Sequence, residues 1–172
     1  MIQARRIVFG LLGAMGILAG AADLQVGQPA PAFEARDQDG RTVRLTDFRD
    51  RSNVVLYFYP KDGTPGCTAE ACSLRDGFHA IQAAGAVILG VSADTAERHA
   101  RFAKDYQLPF PLLADPGGSL LIRPYGVWVP VIGIASRVTF IIDKAGTIRD
   151  IVRKVDTAGH DRQVLASLEK LK

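Results

Sequence analysis

The sequence predicts an α/β domain, a mixed central sheet with helices on both faces. Three observations carry this. The runs 53–59 and 87–91 are almost wholly apolar, as strands covered on both faces must be. Apolar residues at helical spacing follow each run. The chain then closes with strand, turn and strand, followed by an amphipathic run.

In chain order, residues 23–32, with Pro29 and Pro31, read as an extended lead-in. Residues 33–37 and 42–45 flank Gln38-Asp39-Gly40-Arg41, a hairpin signal. Residues 53–59 form the central strand, and Pro60 ends it. Ala71, Leu74, Phe78 and Ile81 then predict one helix over 69–84, with Gly85 just past its end. After the second strand, Asp94-Thr95-Ala96-Glu97 resembles a capping box opening a helix to Tyr106. Residues 110–113 are a short strand, and Pro116-Gly117-Gly118 is a turn before a short helix reaching Tyr125. Two strands, 138–142 and 147–155, surround Asp143-Lys144-Ala145-Gly146. Val164, Leu165, Leu168 and Leu171 make the final helix.

The N-terminus reads as an address. Arg5 and Arg6 precede residues 7–22, which carry no charge. Sixteen helical residues span roughly 24 Å, short of a hydrocarbon core of roughly 30 Å. Ala19-Gly20-Ala21 has the small-x-small pattern of a signal cleavage site. Residues 1–21 are therefore expected to be a signal peptide, with a retained membrane anchor as the alternative. Residues 22–172 are then the working domain, exported to the periplasm or tethered to the membrane.

The leader changes what the composition implies. The 172 residues are 48% hydrophobic and 23% charged, which excludes a disordered chain. The net charge of +3 invites a nucleic-acid partner, but two of the arginines belong to the leader. No Lys/Arg run interleaved with aromatics remains, so no nucleic-acid partner is expected.

Only two cysteines occur, too few for a disulfide scaffold. They leave open one structural bridge, one metal pair or one redox pair. Both follow the central strand, in Thr64-Pro65-Gly66-Cys67-Thr68-Ala69-Glu70-Ala71-Cys72. A cysteine at a helix start faces free N–H groups and the positive end of the helix dipole, which favour a thiolate. An ordinary thiol, with pKa about 8.5, is only about 3% thiolate at pH 7. Thr64 adds a hydroxyl three residues before the sulfur, and Pro65 stiffens the loop. Five residues apart on a helix, the two Cα atoms stand roughly 8.6 Å from each other. A disulfide needs less than about 7 Å. Either the first turn is never helical or it unwinds when the bridge forms; the second is expected, a redox cycle with local unfolding.

The run YFYPKDGTPGCTAEACSLRD resembles the peroxiredoxin family, and within it the peroxiredoxin Q group, also called bacterioferritin comigratory protein. The resemblance extends from Val26 to the C-terminus, through Leu89-Gly90-Val91-Ser92-Ala93-Asp94, Tyr125-Gly126-Val127-Trp128 and Arg137-Val138-Thr139-Phe140-Ile141-Ile142-Asp143. It implies a thioredoxin-like fold and a thiol peroxidase. Cys67 falls at the peroxidatic position, Cys72 at the resolving position, Thr64 and Pro65 at the active-site loop, and Arg137 at the catalytic arginine. It further implies a peroxide substrate, an intrachain disulfide, a thioredoxin-like reductant and no cofactor. A monomer is expected, because both thiols lie in one chain.

The stretch between Trp128 and Arg137 departs from the family's usual longer, polar, lysine-containing segment. Here residues 129–136 read VPVIGIAS, which predicts an exposed apolar lip suited to a partner, a lipid hydroperoxide or a membrane surface. Alternatives of other classes are a protein disulfide oxidoreductase, which normally uses C-x2-C, and an inactive membrane-tethered interaction domain. A metal site is not expected, since Cys67, Cys72 and one of His79, His99 or His160 lack workable ligand spacing. The three histidines and Glu70 are expected at the surface. Arg75 and Asp76 suit an ion pair or loop anchor as well as a catalytic role.

Overall fold

The computed structural model describes residues 23–171. The predicted leader, residues 1–21, and the boundary at Ala22 lie outside the described residues.

An N-terminal hairpin pairs β1 (Glu34–Arg36) with β2 (Thr42–Arg44), and a 3-10 helix (Leu45–Phe48) follows. The chain continues through β3 (Asn53–Phe58), α1 (Pro65–Asp76), α2 (Phe78–Ala83) and β4 (Ala86–Ser92). Then come α3 (Ala96–Asp105), β5 (Leu112–Ala114), β6 (Trp128–Val129) and β7 (Ile134–Ala135). β8 (Val138–Ile142), β9 (Ile148–Val152) and α4 (His160–Glu169) complete the domain. The central sheet has the order β5-β4-β3-β8-β9. β3 runs parallel to β4 and antiparallel to β8, so the sheet is mixed as expected.

β3 is apolar throughout because it has a strand on either side and a core on either face. Val54, Leu56 and Phe58 point into one cluster, with Phe33, Val43, Ile122, Tyr125 and Ala135. Val55 and Tyr57 point into the other, with Leu74, Ile81, Phe102, Val164 and Leu168. Burying each such side chain contributes roughly 1.5–3 kcal/mol. Coverage is uneven. All four α-helices join the Val55 face, whereas the Val54 face is closed by the hairpin, the 3-10 helix and the turns before β6.

Four local expectations are corrected. The single helix over 69–84 is two helices, broken at Gly77. A Cβ at Gly77 would lie 2.5 Å from Asp161 Cβ, so the close approach of α4 sets the break. The first helix also begins at Pro65, whose fixed φ suits position N1. The capping box before α3 does not form. Asp94 is turned away, accepting from the Asp62 N–H (2.8 Å) and the Ser92 hydroxyl (2.8 Å). The segment before Tyr125 is a series of turns rather than a helix. There the Asp115 carboxylate accepts from the amides of Leu120 (3.0 Å), Leu121 (2.9 Å) and Ile122 (2.8 Å). The β6–β7 hairpin was not expected at all.

Candidate active site

The site forms where the chain leaves the C-terminal end of β3. Thr64 has extended N-cap geometry, Pro65 takes N1, and Cys67 is therefore the third residue of α1. The first intrahelical bond runs from the Thr68 N–H to the Thr64 carbonyl (2.9 Å). The preceding N–H groups of Gly66 and Cys67 are thus unused by the helix and point from its positive end. The Thr64 hydroxyl donates to the Lys61 carbonyl (3.1 Å), which folds the loop back rather than capping the helix. Pro65 is exposed, while Cys67 beneath it is only 1% exposed.

Arg137 reaches this sulfur from the strand beside β3. It lies one residue before β8, whose Val138 pairs with Phe58 at the end of β3. That register carries the guanidinium to the loop, with Nη2 3.2 Å from Cys67 Sγ. Its Nη1 donates to Glu70 Oε2. Cys67 and Glu70, three apart on α1, share one helix face, so one arginine bridges both. Burial pulls the guanidinium down, but the facing Glu70 and Cys67 lift it above its ordinary value, and it stays charged.

Glu70 corrects the expectation of a surface acid, for it is fully buried. Burial raises its carboxyl to about 7, against the pull of Arg137. Its Oε1 has no hydrogen-bond partner among the described residues. His160 stands 3.8 Å from that oxygen and is also fully buried. Burial lowers the His160 imidazole, so the contact is with a neutral ring and not an ion pair. Its Nδ1 donates to Gln163 Oε1 (3.1 Å), and its Nε2 accepts from the Thr139 hydroxyl (2.8 Å). The Tyr57 hydroxyl is buried and unpartnered among the described residues; burial and the charge of Glu70 hold it far above its ordinary value.

A second buried network pins the loop. His99 is fully buried rather than exposed, and its Nδ1 donates to Asp62 Oδ2 (2.8 Å). The Tyr59 hydroxyl donates to the other oxygen of Asp62 (2.7 Å). The Asp62 N–H binds Asp94, which also pairs with Arg98 (2.6 Å). The segment from Tyr59 to Thr64 is thereby held from β4 and α3. Of the three histidines only His79 is at the surface.

Cys72 lies on the same intact helix, half-buried, and both thiols are free. The helix that presents Cys67 therefore keeps Cys72 beyond bridging distance. Arg75 and Asp76 form an ion pair (2.8 Å), and Arg75 also donates to the Tyr106 carbonyl (2.9 Å), anchoring the end of α1. Cys67 and Arg137 thus meet, at the loop that Thr64 and Pro65 form, and Cys72 stands apart from them. Glu70, Tyr57, His160 and the His99–Asp62 pair were missed. For Glu70 the signal was present, because a residue three past Cys67 shares its face.

This arrangement can hold a negative sulfur and stabilise charge on an oxygen beside it, using one guanidinium and the helix N-terminus. Residues 26–151 match the AhpC/TSA family. The chain is 45% identical over 126 residues to chloroplastic peroxiredoxin Q of Oryza sativa subsp. japonica, covering 73% of this chain and 57% of that protein. The chain thus spans less than two thirds of that relative's length. It is 40% identical over 155 residues to peroxiredoxin Bcp of Bacillus subtilis, covering 86% of this chain and 97% of that one. Its fold is similar to a bacterioferritin comigratory protein of Xanthomonas campestris, solved in a study of alkyl peroxide reduction. There the TM-score is 0.77 at 32% identity, with 87% of this chain and 98% of the other covered.

Proposed function

The chain belongs to the AhpC/TSA family, in its peroxiredoxin Q and Bcp group, and from that premise we propose that it is a thiol peroxidase. One observation carries the reading: Arg137 Nη2 lies 3.2 Å from the buried sulfur of Cys67 at the start of α1.

The Cys67 thiolate attacks the distal oxygen of a peroxide. The S–O bond forms as the O–O bond breaks, and water or an alcohol leaves once its oxygen takes up a proton. Sulfur is oxidised to sulfenic acid and the peroxide is reduced by two electrons. Arg137 and the free N–H groups of the first turn stabilise the charge developing on the leaving oxygen. Thr64 and Pro65 form the loop that shields the buried sulfur from bulk water. The first turn of α1 then unwinds, and the Cys72 thiol attacks Cys67 Sγ, forming the disulfide and expelling water. A thioredoxin-like dithiol reductant returns both thiols by exchange. The activity named for the Xanthomonas campestris protein supports including alkyl hydroperoxides among the substrates. The leader pattern supports an exported, periplasmic setting, with residues 1–21 removed or kept as an anchor, and the single-chain thiol pair supports a monomer.

The test mixes reduced protein with one equivalent of peroxide and follows free thiols and intact mass. The wild type should lose both thiols rapidly, with a mass drop of about 2 Da from disulfide formation. Cys72→Ser should stop at a sulfenic acid, and Cys67→Ser should not react. Thiol loss in the wild type no faster than that of free cysteine overturns the proposal.

A further inference from the structure

The sheet end that carries Cys67 also carries an apolar projection. Residues 129–134, VPVIGI, hold no charge, and at the tip Val131 is 94% and Ile132 62% exposed. The base of this finger is ordered. Trp128 pairs with Ala135 and Val129 with Ile134, and the Gly133 N–H donates to the Val129 carbonyl (2.9 Å). The Trp128 ring packs directly on Gly118, and the Arg123 guanidinium lies 4.3 Å from its centre. Two branched apolar side chains are therefore held in water by a built support, which marks a contact surface. A tryptophan and an arginine at the foot of an apolar tip are the residues that suit a bilayer interface.

The course of the chain identifies the occupant. Ala135, at the foot of the finger, is two residues from Arg137, so the finger rises from the same end of the sheet as the site. The lead-in runs antiparallel to β9, with the Gly27 N–H on the Ile148 carbonyl (2.8 Å) and Pro29 opposite Thr147. Asp23 consequently lies by Arg153, just past the end of β9, whose Val152 faces Thr139 near the start of β8. The uncharged apolar run of residues 7–22 thus connects at the same end as the finger and Cys67. A chain held by that run has this end turned to the lipid. Exposed Arg123 and Lys154 add basic charge there, which favours an anionic surface.

We propose that the β6–β7 hairpin docks on a lipid bilayer, seating Val131 and Ile132 among the acyl chains and bringing Cys67 to the membrane surface. Hydroperoxides of membrane lipids then become its substrate class. That second half rests on the peroxidase reading; the docking does not.

Trp128 is the only tryptophan in the chain, so it reports on the finger whatever residues 1–22 do. The full-length protein is mixed with phosphatidylglycerol-containing vesicles whose acyl chains are brominated. Trp128 emission should shift to the blue and be quenched by about half or more, as expected of an indole at the interface. In Val131→Asp/Ile132→Asp the quenching should vanish. Reduction of a phospholipid hydroperoxide in the same vesicles should slow about tenfold, as buried apolar contact is lost, while hydrogen peroxide is reduced in buffer at the wild-type rate. Docking is overturned if Trp128 stays unquenched while the protein sediments with vesicles, or if the double variant is quenched as fully as the wild type. A wild-type dimer in solution that the double variant dissolves also overturns it, by giving the surface to a second copy. If neither peroxide is reduced, the peroxidase reading fails and the quenching still decides the docking.

Discussion

Glu70 sits fully buried against Arg137, with its carboxyl raised by burial from 4.5 to about 7. Replacing it with glutamine keeps the shape and removes the titration. The sign follows from proton counting. Below pH 4.5 the carboxyl is protonated in both folded and unfolded chains, and it adds no pH dependence. Between 4.5 and about 7 the unfolded chain releases the proton while the folded chain keeps it, so stability falls as pH rises. Above about 7 both forms are ionised and the loss is complete. At about 1.4 kcal/mol per pH unit, the window corresponds to a loss of about 3 kcal/mol. Urea unfolding of the wild type and Glu70→Gln, measured from pH 4 to pH 8, isolates this site because titrations away from it cancel. The wild type should lose about 3 kcal/mol relative to the variant as pH rises across the window. A difference that stays flat, or that grows in favour of the wild type, refutes the reasoning: Glu70 would then be ionised throughout and held by Arg137.

Other outcomes follow from the same geometry. Arg137→Met should slow the reaction of Cys67 with peroxide about 100- to 1,000-fold, as loss of a charge-stabilising donor does; stopped-flow thiol oxidation measures it, and a change under threefold removes Arg137 from the chemistry. Oxidation should speed amide exchange over residues 67–75, because the bridge cannot form on the helix; matching exchange in oxidised and reduced protein shows that α1 does not unwind. Gly90→Ala should destabilise the domain by about 1–3 kcal/mol in chemical denaturation. A Cβ there would stand 2.7 Å from both Tyr57 Oη and Leu112 Cδ2, and an unchanged midpoint would mean that these side chains yield freely.

The sequence by itself determined the kind and order of the main strands and helices, because helix and strand periods are local. The doubly apolar β3, the turn glycines and the Thr64–Cys67 loop entering a helix were all legible from neighbouring residues. Even the conflict between Cys67 and Cys72 followed from helix dimensions alone. Tertiary structure decided which groups meet. Arg137 joins Cys67 across 70 residues only because Val138 pairs with Phe58. Glu70 and His160 looked like surface residues because charge predicts exposure, yet α1 and α4 pack their polar atoms inward, where Arg137 and Gln163 answer them. His99 was hidden for the same reason, since its partner Asp62 is 37 residues away. The break at Gly77 depended on Asp161 of α4, which no local pattern contains. The apolar lip was expected from composition, but its form as a supported hairpin was not. Pairing energy and packing between distant segments, rather than local propensity, built both that finger and the Cys67–Arg137 site.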